Sequence, residues 1–187
     1  DLLQIGIQPD ILLCRTDRFL PRDIKEKIAL FCNIRIEAVI TAKDVGSIYE
    51  VPLIFHQEKL DQIIVDYLKM WTRKPDISEW EDIAYRFANP RQEVTIGVVG
   101  KYISLKDSYK SLHEALSHGG MANDSHVEIK YVDSEDIESE GVESLLRDVH
   151  GVLVPGGFGK RGFEGKIQAV RYAREKKVPF FGICLGM

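Results

Sequence analysis

The chain has 187 residues, 44% of them hydrophobic and 29% charged, with a formal net charge of −4. That suffices for one full hydrophobic core or somewhat more, in the composition of an ordinary soluble globular protein. No apolar run approaches the ~20 residues of a membrane helix, no signal-peptide pattern opens the chain, and Lys and Arg are scattered; these exclude a membrane span and a basic nucleic-acid or membrane surface.

In chain order, residues 10–14 read as a short apolar strand. Residues 21–32 read as a helix, with Pro21 in its first turn and Ile24, Ile28 and Phe31 on one face. A second strand covers 38–40. An amphipathic helix over 59–70 carries Leu60, Ile63, Ile64, Tyr67 and Leu68 on its stripe. Polar breaks at 72–76 and 88–92 then flank a short helix containing Trp80. The expected division is therefore a first domain over 1–70, a linker over 71–92 and a second domain over 93–187.

The second half has a regular rhythm. Residues 94–100 form a buried strand ending in glycine, 107–118 a helix, 127–132 a strand, 142–146 a short helix and 151–154 a strand. A glycine-rich loop follows, then a helix over 163–176 and a strand over 179–183 that runs into Cys184. Alternating strands and helices imply a parallel sheet covered on both faces. Chemistry in such sheets lies at the carboxyl ends of the strands, where both the glycine loop and Cys184 fall. Internal repeats and low-complexity tracts are absent from the sequence.

Gly182-Ile183-Cys184-Leu185-Gly186 is a nucleophile flanked by glycines straight after an apolar strand. So sharp a turn needs small neighbours and pushes the middle side chain out above the sheet. A following helix would bring free N–H groups beside the sulfur. The pentapeptide alone fits a buried strand-end thiol equally well. Cys14, Cys32 and Cys184 are widely spaced and odd in number, which argues against a disulfide framework or a zinc knuckle and for a reducing cytoplasm.

The stretch Pro155-Gly156-Gly157-Phe158-Gly159-Lys160-Arg161-Gly162 lets the backbone approach a ligand and turn its N–H groups inward. Acyl transfer needs such donors for the tetrahedral oxyanion. Gly157 and Leu185, the residue after the nucleophile, are the candidate donors. Two rival patterns fail. The dinucleotide fingerprint over 157–162 has no acidic strand end about 20 residues on. A phosphate loop would need Ser or Thr where Arg161 stands. His113 and His118 imitate a zinc protease motif with one residue too many, which sets the rings about 140° apart on a helix. The sequence offers no metal cluster.

With both loops in view, the chain resembles the CTP synthase family along nearly its whole length. The stretches that carry the resemblance are 6–10 through Cys14-Arg15, 27–32, Lys43-Asp44-Val45 with Ser47-Ile48-Tyr49, 99–102, 155–159 and 182–187. The two glycine loops alone indicate only a class I glutamine amidotransferase; the first ninety residues select the synthase. The resemblance implies an α/β chain: the end of a P-loop-like synthetase domain, followed by a doubly wound parallel-sheet amidotransferase domain cut at the nucleophile elbow. It implies ATP-dependent amination of UTP to CTP, with magnesium and with ammonia channelled from glutamine hydrolysis. It also implies GTP activation, CTP inhibition and a cytoplasmic homotetramer that can form filaments, with no nucleic-acid or membrane partner.

Position by position, the resemblance makes Cys184 the nucleophile that forms a glutamyl thioester. It places Gly157, Leu185, Gly186 and Met187 at the glutamine. Lys27, with Arg15 and Phe31, falls at the UTP and CTP site, and Lys43, Asp44 and Val45 fall beside the ATP base. Lys101 and Tyr102 fall on a lid-like loop associated with GTP. Lys27 and Lys43, read without the resemblance, are ordinary solvated charges. The family's triad His and Glu would follow Met187, and its phosphate loop and magnesium carboxylates would precede Asp1. The chain is thus expected to be an internal portion holding neither complete active site, and inactive by itself.

Overall fold

The structure is a computed structural model that describes residues 3–101, 103, 106–157 and 159–187. It divides into two compact units, Asp1–Ala88 and Asn89–Met187.

The first unit is built on a parallel strand pair. β1 (Leu12–Thr16) runs beside β2 (Val39–Lys43), in register from Leu12 opposite Val39 to Thr16 opposite Lys43. Parallel neighbours need a crossover, and α1 (Arg22–Cys32) supplies it. Asn33 ends that helix in the left-handed conformation, donating its N–H to the carbonyls of Ala29 and Leu30. Three further helices follow: α2 (Val51–Gln57), α3 (Leu60–Tyr67) and α4 (Ser78–Ala88). Buried Ile40, Leu60 and Ile63 form the core, with Ile11 and Phe55 packed against it.

Three details depart from the sequence reading. α2 was not expected, because Val51–Gln57 opens as an unbroken apolar run without helical periodicity. A start signal lies just upstream, on the 3-10 turn Ile48–Glu50 that leads into α2: the Ser47 hydroxyl accepts the Tyr49 N–H at 3.2 Å, and the Ser47 N–H donates to Glu50 Oε1 at 3.0 Å, forming a capping box. α3 ends at Tyr67, with Leu68 64% exposed. Phe31, which helical spacing groups on one face with Ile24 and Ile28, is 82% exposed, because the buried side of α1 is set by Ala29. The stretch over 71–92 holds α4, which packs on the turn before α2 with the Tyr49 and Phe87 rings 5.1 Å apart.

A charged pair supports the small core. Lys25 Nζ lies 2.5 Å from Glu58 Oε2, which also accepts the Thr41 N–H at 2.7 Å. Burial pushes the Glu58 carboxyl up, but the Lys25 and Thr41 hydrogen bonds outweigh it and hold the group below the usual range near 4.5. A carboxylate held low stabilises the fold above that usual value, and the stabilisation is lost as pH falls through the lower folded value. Glu58→Ala strands Lys25 and the Thr41 N–H. We expect it to cost about 2–3 kcal/mol in urea unfolding, and to flatten the loss of stability between pH 5 and the acid limit. A pH profile parallel to wild type would refute the assignment.

The second unit holds a four-stranded, all-parallel sheet in the order β4-β3-β5-β6. Its strands are β3 (Gln92–Gly100), β4 (Ser125–Asp133), β5 (Gly151–Val154) and β6 (Phe180–Gly182). Its helices are α5 (Lys110–Ala122), α6 (Ser134–Glu140), α7 (Val142–Leu146) and α8 (Phe163–Lys176). All four residues of β5 are buried, as an interior parallel strand requires. Ala169, Tyr172 and Ala173 of α8 join Val99, Val152 and Val154 in the core, and the Tyr172 hydroxyl donates to the Leu146 carbonyl at 3.3 Å. α6 escaped the sequence reading because it is acidic and polar; its cap is Asp133, whose carboxylate accepts the Glu135 N–H at 2.9 Å. β6 is an edge strand, with Phe181 64% exposed. Among the described residues no helix is long and apolar enough to cross a membrane.

Candidate active site

Parallel pairing aims the carboxyl ends of β3, β5 and β6 at one edge of the second unit's sheet. Val154 of β5 stands opposite Gly182 of β6, and the Ile183 N–H donates to the Val154 carbonyl at 3.0 Å. The glycine loop and the cysteine turn therefore leave the sheet side by side. Cys184 has φ 56°, a left-handed conformation uncommon for a residue with a Cβ. A tight turn then runs over Cys184–Gly186, and the Met187 N–H closes it on the Cys184 carbonyl at 3.2 Å. Asn33, Lys59 and Lys177 adopt the same conformation as helix caps, whereas Cys184 adopts it at the start of the turn that follows β6. The side chain of Cys184 is exposed and can be reached from solvent.

The flanking glycines make the turn possible. A Cβ on Gly182 would collide with the Gly186 carbonyl oxygen, and one on Gly186 with the Val154 carbonyl oxygen. Gly156, across the gap, seats the other loop: a Cβ there would lie 3.3 Å from Cys184 Cβ and 3.9 Å from its sulfur. Among the described residues, the backbone N–H of Gly157 donates to no backbone acceptor, and Leu185 lies inside the tight turn over Cys184–Gly186. Gly157 is half-buried, Leu185 and Met187 are exposed, and Gly186 is buried.

Two lysines lie beneath this edge. Lys166, on α8, is 5% exposed and donates from Nζ to the Pro155 carbonyl at 3.3 Å. Lys101, at the end of β3, is 6% exposed and donates to the Gly159 carbonyl at 3.1 Å. Arg161 returns a hydrogen bond to the Lys101 carbonyl at 3.1 Å. Lys101, which the resemblance assigns with Tyr102 to a lid-like loop, is itself buried beside the glycine loop; Tyr102 and Phe158 lie outside the described residues. Lys166 went unnoticed in the sequence. Nothing in a lysine within a mixed helical segment signals burial, and only its place shortly after the last loop glycine hints at it.

In the first unit, the structure gathers part of the expected nucleotide group at the carboxyl ends of β1 and β2. Arg15 Nε pairs with Asp44 Oδ1 at 2.8 Å, and Lys43 Nζ lies 5.6 Å from the centre of the Phe19 ring. Val45 follows, half-buried. The Arg15–Asp44 pair is exposed and adds little stability. Lys27 and Phe31 lie on the exposed surface of α1, and no hydrogen bond or ion pair among the described residues joins them to the strand-end group. His113 and His118 are exposed, and no group of three metal-ligating side chains occurs among the described residues.

Comparison with known proteins ties the two units together. Residues 1–70 match the family model of the CTP synthase N-terminus, and residues 104–187 match that of class-I glutamine amidotransferases. The CTP synthase of Syntrophus aciditrophicus (strain SB) is 62% identical over 186 residues, covering 100% of this chain and 35% of that protein. The chain belongs to the CTP synthase family. The CTP synthase of Koribacter versatilis (strain Ellin345) is 58% identical over 189 residues, again across 100% of this chain and 34% of that protein. A solved glutaminase domain of Trypanosoma brucei CTPS with bound acivicin is 39% identical, covers 50% of this chain and 37% of that one, and has a TM-score of 0.46. The chain spans about a third of the length of its CTP synthase relatives. In CTP synthase terms, the first unit carries the synthetase match and the second the amidotransferase match.

Proposed function

We propose that the protein containing this chain makes CTP from UTP, ATP and glutamine, with Cys184 as the glutaminase nucleophile. The observation that carries this is the seating of Gly156 against a left-handed, exposed Cys184 in a chain of the CTP synthase family. The Cys184 sulfur attacks the carboxamide carbon of glutamine, and the N–H groups of Gly157 and Leu185 receive the oxyanion. As the intermediate collapses, the C–N bond breaks and ammonia leaves with a proton from a general acid outside this chain. Water then cleaves the glutamyl thioester to glutamate. Gly186 and Met187 border the glutamine.

The ammonia passes through the protein to the synthetase domain. There ATP phosphorylates the uracil oxygen of UTP, and ammonia displaces the phosphate to give CTP. Arg15, Lys27 and Phe31 serve the UTP and CTP site, and Lys43, Asp44 and Val45 border the ATP base. Cationic side chains suit a triphosphate. Magnesium, when bound with ATP, neutralises phosphate charge; its ligands are assigned outside this chain. GTP activation, CTP inhibition, a cytoplasmic homotetramer and filament formation complete the reading.

The test uses the full-length protein. A glutamine-like diazoketone should attach to Cys184, as read by peptide mass mapping, and should block glutamine-dependent but not ammonia-dependent conversion of UTP to CTP. An adduct on any other residue, or no CTP from ammonia, ATP and UTP, would overturn the proposal.

A further inference from the structure

Lysine is seldom buried without a carboxylate partner, because an ammonium ion loses its hydration in the interior. Lys166 breaks that pattern. It is 5% exposed, no carboxylate pairs with it among the described residues, and its hydrogen bond goes to a neutral carbonyl, that of Pro155. Lys101, also buried, grips the Gly159 carbonyl. The two ammonium groups thus hold both ends of the segment 155–159, and between those anchors lie Gly156, seated against Cys184, and Gly157. Burial, and then the nearby charge of Lys101, draw the Lys166 ammonium below the usual lysine range. Holding a positive charge here therefore costs stability that packing alone does not require.

We infer that Lys166 is a positioning residue for glutamine hydrolysis: by anchoring the Pro155 carbonyl it fixes the Gly156–Gly157 peptide against the cysteine turn. Glycines make that segment able to approach the substrate and also leave it soft. Donors stabilise an oxyanion only if they are already in place when charge develops. A strand end that drifts by a fraction of an ångström would still admit glutamine but would stabilise the tetrahedral intermediate poorly. The loss should consequently appear in kcat more than in KM. The helix α8 offers a firm base for such an anchor. It packs on β5 through Ala169 and Ala173, so the lysine stem rises from the buried core of the unit.

This inference rests on the reading of Cys184 as the glutaminase nucleophile. The test compares full-length wild type with Lys166→Met, an unbranched apolar replacement, and Lys166→Arg, which keeps an N–H donor. Lys166→Met should lower kcat for glutamine hydrolysis tenfold or more, with KM for glutamine within twofold. Lys166→Arg should be at least threefold more active than Lys166→Met. Ammonia-dependent CTP formation and the rate of Cys184 alkylation by iodoacetamide should both stay within twofold of wild type. Glutamine turnover by Lys166→Met within threefold of wild type would overturn the inference. So would a parallel fall in ammonia-dependent synthesis or in alkylation, which would mean that the unit had merely loosened, or an Arg variant no better than Met. If Cys184→Ala still hydrolyses glutamine, the reading of the nucleophile fails instead, whatever the Lys166 variants do.

Discussion

Cys184→Ala in the full-length enzyme is expected to abolish glutamine-dependent CTP formation, by roughly 10⁴-fold or more, while ammonia-dependent formation stays within about twofold. On the proposed mechanism the carboxamide bond of glutamine is broken only through the covalent intermediate, so no neighbouring group would replace the sulfur. Ammonia added from solution bypasses that step. Alanine keeps the Cβ and hence the strain at φ 56°, so the turn itself should persist. Cys184→Gly makes the complementary point. It removes both the nucleophile and the left-handed penalty, and should raise the unfolding free energy by about 1 kcal/mol while being equally inactive. Stability gained together with activity lost would show that the backbone at this position is held for chemistry. A glycine variant no more stable than the alanine variant would remove the strain argument. Steady-state assays with glutamine and with ammonium salts, beside thermal unfolding, decide both points.

The second large effect is expected at Gly186. Its added Cβ would fall on the Val154 carbonyl oxygen, a backbone atom of a fully buried strand. A flexible side chain could rotate away from such a clash, but the end of β5 cannot. Gly186→Ala must therefore push the cysteine turn off the sheet, at a cost of about 2–4 kcal/mol. The same shift breaks the contact between Gly156 and Cys184, so glutamine hydrolysis should fall at least ~100-fold. Gly119 is the control. It lies within α5, its Cβ would meet nothing within 4 Å, and its φ is not positive. Gly119→Ala should stabilise the unit by about 0.5 kcal/mol and leave activity unchanged. If Gly186→Ala hydrolysed glutamine at the wild-type rate, the turn would not be the site of chemistry.

Some of this could be read along the chain. The apolar runs of β3 and β5 could scarcely be anything but buried parallel strands, and Gly182-Ile183-Cys184-Leu185-Gly186 announced a sharp turn through its small residues. Local chemistry of that kind survives in the sequence because each requirement falls on neighbouring residues. The helix α2 was legible in principle through Ser47 and Glu50, but its apolar run masked the period. The helix α6 was hidden by its acidity, since a polar helix lacks the stripe that periodicity detects. The exposure of Phe31 could not be foreseen from spacing, which says which residues share a face and not whether that face is covered.

By itself, then, the sequence determined the strand and helix alternation of the second half, the turn at Cys184 and, through the matched motifs, the family. Only the tertiary structure decided that Gly156 lies against Cys184, because that contact depends on β5 and β6 pairing in parallel, Val154 opposite Gly182, with the whole of α8 between them in the chain. It alone showed that Lys101, assigned by the resemblance to a lid-like loop, and Lys166, which the sequence did not single out, are buried beside the glycine loop. A lysine's burial is fixed by what packs around its stem and by which carbonyl its ammonium can reach, and both are supplied by residues distant in sequence.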